Sequence, residues 1–280
     1  MNEKYTTSIK SDDSFFSLDL KEVWRYKDLL FMFVKRDFVT FYKQTILGPL
    51  WFLIQPILTT ILFSFIFGKL AKISTDGMPP IAFYMCGTVI WSYFSESLTK
   101  VSTVFNDNAQ VLGKVYFPRL IMPLSIVVSG LIKFCVQFSI FILIVFYYTW
   151  IEQKISPNFY VLFTPFLVLL MAMLALGIGM IFSSLTNKYK DLVFLLSFGI
   201  QLFMYVTPVI YPISFASESV RQFMVLNPLT GIVECFRFGF LGTGGFEPYM
   251  LVYSLVISIV VFVIGTYIFN FVEKSFMDSV

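Results

Sequence analysis

No histidine occurs anywhere in the 280 residues of this chain. Its absence removes the commonest general base and with it every Ser/His/Asp or Cys/His catalytic set. Cysteine is almost as scarce, and Cys86, Cys135 and Cys235 have none of the spacings that bind a metal. The pattern G-x-x-x-x-G-K-[ST] is missing too, so the chain has no P-loop of its own to cradle ATP. If the protein moves a cargo uphill, another subunit supplies the energy. Charge is thin, at 13% of residues, against roughly 25% in soluble domains. Inside the apolar stretches Glu96 is the one carboxylate. Ion-coupled carriers build their relays from mid-membrane Asp, Glu or His. A secondary transporter is therefore disfavoured, although a sodium site of carbonyls and hydroxyls stays open. An embedded polyprenyl-phosphate transferase needs clustered carboxylates to hold magnesium and a diphosphate. The sole adjacent pair, Asp12-Asp13, lies in a polar N-terminal tail.

What the chain has instead is apolar length. Hydrophobic residues make up 58% of it, and the mean hydropathy is +0.81. Six stretches, near 50–68, 81–99, 120–149, 159–185, 192–210 and 249–271, can each span a bilayer, which takes about 20 residues. The third is longer than a span, so part of it tilts or extends beyond the hydrocarbon. The alternation of membrane β-strands is absent, and helices satisfy their own backbone in lipid. The expected fold is an all-α integral membrane protein with six transmembrane helices. Residues 1–28 carry Asp12, Asp13, Asp19 and Glu22 where a signal peptide would need an apolar core, so no cleavable leader is expected. Lys and Arg outside the spans number fourteen on one side and five on the other, which places both termini in the cytoplasm. Cys86 and Cys235 then both fall toward the outer face, as a disulfide or as unpaired apolar filler.

The passage KRDFVTFYKQTILGPLWFLIQP, from Lys35 to Pro56, joins a charged segment to the first apolar stretch. On a helix, Leu30, Val34, Phe38 and Phe41 line one side, and Arg36, Thr40, Lys43 and Gln44 the other. That pattern suits a cytoplasmic helix lying in the headgroup boundary. The domain reading is a polar tail over 1–25, an amphipathic interface helix over 26–47 and a transmembrane domain over 48–280. Lys133 is the one basic residue deep in a span, about 20 Å along its helix from Arg119. Reckoned from the helix ends, Glu96 lies too near the edge to pair with it, which leaves Gln137 and Gln201 as neighbours. This polar set reads either as the lining of a conduit or as a satisfied contact between helices. Ala175, Gly179 and Ser183 form a small-residue stripe suited to close helix packing. The segment Tyr211–Pro248 is too apolar for a free loop. It reads as two short helices dipping into the outer leaflet, broken at Asn227-Pro228, with Glu234 and Arg237 spaced to pair. Aromatic residues reach 19%; they suit either the C–H faces of sugars or a lipid-facing surface with interfacial belts.

Four stretches of sequence, in order, resemble the ABC-2 family of exporter membrane subunits, and within it the branch that exports bacterial O-antigen, capsule and wall teichoic acid. They are RDFVTFYKQTILGPLWFLIQP, residues 86–125 (CGTVIWSYFSESLTKVSTVFNDNAQVLGKVYFPRLIMPLS), TPVIYP at 207–212 and NPLTGIVECFRFGFLG at 227–242. The resemblance implies a homodimer in the bacterial inner membrane, bound to two copies of a separate ATPase that holds the ATP and magnesium, with no cofactor in this chain and no nucleic-acid partner. The implied cargo is a lipid-linked polysaccharide, O-antigen of lipopolysaccharide foremost. Teichoic acid, capsule, or a small lipid or drug is the alternative. A coupling helix is implied within Asn106–Phe117, with Asn108, Val111, Leu112, Lys114 and Tyr116 facing the ATPase and Phe117-Pro118-Arg119 ending it. Arg36, Phe38, Lys43, Gly48 and Pro49 belong to the interface helix and its hinge. The resemblance implies the first and fifth spans as conduit walls, and Trp51, Gln55, Phe63, Phe198, Gln201 and Tyr205 are the lining residues expected on them. Asn227, Pro228, Glu234 and Arg237 are the implied external gate.

Overall fold

The computed structural model describes residues 20–43, 46–112, 117–186 and 188–277, and every regular element among them is helical. A short α1 (Leu20–Arg25) leads into α2 (Lys27–Lys43). Asp28 in the first turn of α2 and Lys43 in its last complement the helix dipole. The chain then turns at Gly48, whose φ of +50° lies in the left-handed region that glycine enters without a Cβ clash. A single 3-10 turn (Gly48–Leu50) opens α3 (Trp51–Phe63), which runs into a wider π-helical stretch over Ser64–Leu70.

Next come α4 (Pro80–Ser102), two single turns, α5 (Val104–Asp107) and α6 (Ala109–Leu112), and the long α7 (Ile121–Trp150). Pro118 falls in the turn that separates α6 from α7, so the break expected at Phe117-Pro118-Arg119 is where the chain redirects. A 3-10 turn (Phe159–Phe163) leads into α8 (Thr164–Thr186), followed by α9 (Leu192–Val206). Two shorter helices, α10 (Glu218–Val225) and α11 (Pro228–Leu241), meet at 101° before the final α12 (Pro248–Met277). The break between them comes from Asn227, whose side chain accepts the Leu229 N–H at 3.0 Å, and from Pro228 at the first helical position.

Each of the six apolar stretches contains one of these helices. By length and composition, four described segments can cross a membrane: Trp51–Leu70, Ile121–Trp150, Phe159–Thr186 and Pro248–Val272. The protein is thus a multi-pass membrane protein. The helix α4 is long enough but less apolar, because Glu96, Lys100 and several hydroxyls interrupt it. The fifth stretch stops early, at Val206, where Thr207 turns to an extended backbone ahead of Pro208.

At the centre stands α8, packed between α4 and α12. Its span is 56% buried, against 17% for Trp51–Leu70 and 22% for α7 and for α12, and α4 is buried along most of its length, so α8 and α4 form the core while α3, α7 and α12 present faces outward. The small-residue stripe is buried there: a Cβ on Gly179 would sit 2.6 Å from the Val101 side chain of α4. Closest of all is the crossing of α8 with α12, where a Cβ on Gly265 would lie 2.3 Å from the Gly177 carbonyl oxygen. The three cysteines are free, Cys86 and Cys235 both buried among core side chains; filler is the reading that fits.

Candidate functional site

Between α3 and α9, with α4 and α7 as its floor, lies a cleft of about 830 Å³. It reaches from Asp37 and Phe38 on α2, past Thr99 and Lys100, to Trp91, Met204 and Tyr205. Its walls mix aromatic rings with polar groups: Trp51 and Gln55 from α3, Ser95 and Glu96 from α4, Ser129 and Lys133 from α7, Phe198 and Gln201 from α9. Trp51, Phe198 and Tyr205 are each about half exposed, at 44%, 58% and 55%. Rings held open in a concave wall with amides and hydroxyls beside them differ from core filler, which would be covered.

At the floor, Lys133 donates to the Glu96 carboxylate and, at 3.3 Å, to Oε1 of Gln55. One ammonium thus joins α7, α4 and α3. This overturns the expectation that Glu96 lies too far toward the edge, with Gln137 and Gln201 as the lysine's neighbours. The reason is the register of two antiparallel helices. A Cβ on Gly130 would touch Ser97 Oγ at 3.2 Å and the Tyr93 ring at 3.3 Å, so Gly130 faces Ser97. Gly130 is nine residues into α7 while Ser97 is five from the end of α4. At about 1.5 Å per residue, α7 therefore begins roughly 6 Å beyond the end of α4. Side chains also lean toward the N-terminus of their own helix. On antiparallel helices that tilt carries Lys133 and Glu96 toward one another. Gln201 borders the same cleft, and Gln137 is buried behind it.

Another ion pair, this one fully buried, lies on α11. Arg237 of α11 donates to Glu234 at 2.5 Å and to the Pro208 carbonyl at 2.6 Å, and its guanidinium stacks 4.2 Å from the Phe83 ring. Glu234 also accepts the Gly245 N–H at 3.1 Å. Asn227 donates to Thr207 Oγ1 at 2.9 Å. Both the cap of α11 and its arginine are therefore fastened to the segment that follows α9. At 0% and 1% exposure the two charged side chains are removed from bulk water. The pair is satisfied by its own contact together with these backbone groups.

At the opposite end, α2 packs on α7 and on Phe117. The Phe33 ring lies 5.8 Å from that of Phe117, and Arg36 reaches Asn108 Oδ1 at 3.5 Å while pairing with Asp37 at 2.8 Å. Among the described side chains of α2, Phe33 and Val34 are buried, whereas Phe38 is 38% exposed and borders the cleft. Of the expected line Leu30, Val34, Phe38 and Phe41, Val34 is buried and Leu30 packs against the core, Phe38 borders the cleft, and the Phe41 side chain lies outside the described residues; Phe33, buried beside Val34, meets the Phe117 ring.

Residues 28–241 match the family described as ABC-2 type transporter, which is most of the chain. The chain belongs to the ABC-2 type transporter family. Relatives of this ABC-2 chain include an O-antigen export system permease protein RfbA of Klebsiella pneumoniae. The two are 28% identical over 253 residues, which cover 90% of this chain and 94% of the relative. A protein of the same name from Myxococcus xanthus is 27% identical over 222 residues, 78% of this chain and 82% of the relative. The capsule polysaccharide export inner-membrane protein CtrC of Neisseria meningitidis is 22% identical over 215 residues, 74% and 77% of the two chains.

Of the residues the family resemblance assigns to a conduit, Trp51, Gln55, Phe198, Gln201 and Tyr205 border the cleft of this ABC-2 chain. Phe63 does not border it; its ring packs against Phe67 and Tyr84 at 5.4 and 6.3 Å. Sequence reasoning missed Trp91; Glu96 and Lys100, a turn apart on α4, both border the cleft. In the coupling segment, Asn108 contacts Arg36 and donates to the Val104 carbonyl at 3.1 Å, and Val111 packs partly against the core. Lys114 and Tyr116, and the side chains of Leu112 and Pro49, lie outside the described residues. Lys43 is exposed at the end of α2.

Proposed function

We propose that this chain is the transmembrane subunit of an ATP-driven exporter that moves a lipid-linked cell-surface polysaccharide, O-antigen foremost, across the bacterial inner membrane. The observation that carries the reading is the cleft of about 830 Å³, with half-exposed aromatic rings facing amides and hydroxyls. Sugars present flat C–H faces to rings and hydroxyls to polar groups, so such a wall holds a glycan weakly at many points and lets it slide. The relatives named for O-antigen export, matched along 90% of the chain, support the cargo class. The capsule exporter CtrC, more distant at 22% identity, supports capsule polysaccharide as the second reading.

In this proposal α3, α4, α7, α8, α9 and α12 make six crossings with both termini cytoplasmic, and α10–α11 form the re-entrant pair on the outer side. Two copies of the chain face one another across the open side of the cleft. Exposed apolar residues there, Phe194 and Leu202 on α9 and Ile57 and Leu58 on α3, make a surface that needs lipid or a second copy. Two ATPase subunits dock on α2 and the α5–α6 segment. They hold the ATP and magnesium and hydrolyse the nucleotide, and this chain has no catalytic role.

Deleting the gene in its host tests the reading. Long-chain polysaccharide should vanish from the cell surface and accumulate on its lipid carrier in the inner membrane, with display restored by the wild-type chain. An unchanged surface polysaccharide, together with drug-stimulated ATPase activity of the purified complex, would overturn it in favour of a drug or small-lipid exporter.

A further inference from the structure

The wall of the cleft made by α3 is the least firmly seated. Its span is the least buried of the four described segments that can cross a membrane, at 17%, and Pro56 stands inside the helix. Proline has no N–H to give the carbonyl four residues back, so the turn that begins at Phe52 lacks one backbone bond. Every residue by which α3 borders the cleft, Trp51, Phe52 and Gln55, precedes that proline. The cleft-facing part of α3 is thus a short segment with an interrupted turn behind it and the Gly48 turn ahead of it.

Lys133 meets this segment twice. Its ammonium donates to Gln55 Oε1 at 3.3 Å and lies 5.7 Å from the centre of the Phe52 ring. Phe52 and Gln55, three apart, share a face of α3. Among the described residues the bond to Gln55 is the one side-chain hydrogen bond between α3 and another helix; Thr59 bonds within α3 itself. A lysine head on its flexible four-carbon stem places nothing unless it is held. Here the Glu96 carboxylate holds it, from α4, which is buried along most of its length. The link runs from the covered core, through one ammonium, to the interrupted turn of the most exposed wall.

Resting on the exporter reading above, we infer that Lys133 is a positioning residue of the conduit. With Glu96 as its anchor it holds the Trp51–Gln55 segment of α3 at a set distance from α9, and so fixes the width of the cleft. The complex of this chain with its ATPase, in lipid nanodiscs, is given nitroxide labels through Leu50→Cys and Leu195→Cys, both exposed positions, with the exposed Cys135 replaced by serine. Labelled chains are diluted with unlabelled ones, and the distance within one chain is read by pulsed electron spin resonance. The otherwise unaltered chain should give one narrow distribution. Gln55→Leu, which leaves the Lys133–Glu96 pair intact, and Lys133→Met should each broaden it by several ångströms. Lys133→Arg, which keeps a charged donor, should keep it narrow. Long-chain polysaccharide on the cell surface should fall several-fold in the two broadened variants and not in the third.

A lysine that only satisfies charge inside the bundle would lower the melting temperature of Lys133→Met and leave the distances of Gln55→Leu as they were. Narrow distributions in both variants therefore overturn the inference and leave the exporter reading, which the gene deletion tests, untouched. Broadened distances with unchanged polysaccharide display would overturn it in another way: the fastener would be real, and the cleft would not be the conduit. Gln55→Leu decides the matter even if Lys133→Met does not assemble.

Discussion

At the scale of single residues, two ion pairs do different work. Lys133 and Glu96 sit in an open cleft, at 15% and 35% exposure, where a bound cargo can replace water. Glu234 and Arg237 are sealed, and their partners are backbone groups of Pro208, Val209 and Gly245. Breaking a sealed pair strands a charge, whereas replacing both partners by apolar groups of similar size is often neutral. Arg237→Met should therefore lower the melting temperature of the detergent-purified protein markedly, through a loss of about 3–5 kcal/mol. The double variant Glu234→Leu with Arg237→Met should recover most of it. A single variant that melts like the wild type would show that the pair contributes little to the outer end of the fold. The Glu234–Arg237 spacing was legible in the sequence because both residues lie on one helix, where the i,i+3 rule holds. The Lys133–Glu96 pair was not legible, since it depends on how far α7 slides past α4, and no local pattern encodes that offset.

At the scale of elements, the sequence was read well wherever punctuation is local. Asn227-Pro228 breaks α10 from α11, and Leu47-Gly48-Pro49 breaks α2 from α3, for reasons contained within a few residues. The packing of Phe33 of α2 against Phe117 was not legible, because the two rings are more than eighty residues apart. The same α2 touches Asn108 and Phe117 at one end of the fold, and through Gly48 it continues into α3, which carries Trp51 and Gln55 to the cleft. In the proposed function, a push on the α5–α6 segment reaches α2 through Asn108 and Arg36, and the Gly48 turn stands between α2 and the cleft wall. An alanine at Gly48 must hold a φ of +50°, which costs roughly 1–2 kcal/mol. Replacing Gly48 and Pro49 together by alanine should leave the ATPase bound and hydrolysing while polysaccharide display falls several-fold, measured on the same cells. Unaltered display would reduce α2 to a membrane anchor.

At the scale of the whole molecule, the distribution of charge and the lengths of the helices have to agree. The helix α9 has 15 residues, about 22 Å at 1.5 Å per residue, which falls short of a hydrocarbon core of roughly 30 Å. The buried segment Thr207–Ile210 and the bent α10–α11 pair extend the apolar column beyond its end. Irregular backbone at such depth is tolerated because protein covers it: the Pro208 carbonyl bonds to Arg237, and Thr207 bonds to Asn227. In the proposed topology, a short α9 and a sealed clamp beyond it are two halves of one crossing. If so, the loop bearing Lys188 lies on the cytoplasmic side, and Lys154 and Glu218 both lie outside. Single cysteines at these three positions, in a background with Cys135 replaced by serine because it alone of the native thiols is exposed, make the test. In intact spheroplasts a membrane-impermeant maleimide should label positions 154 and 218 at once, and position 188 only after permeabilisation. Immediate labelling at 188 alone would invert the orientation. Labelling of 188 and 218 from the same side would mean that α9 does not cross, and the clamp at Arg237 would then have to be an internal brace rather than the outer end of a conduit wall.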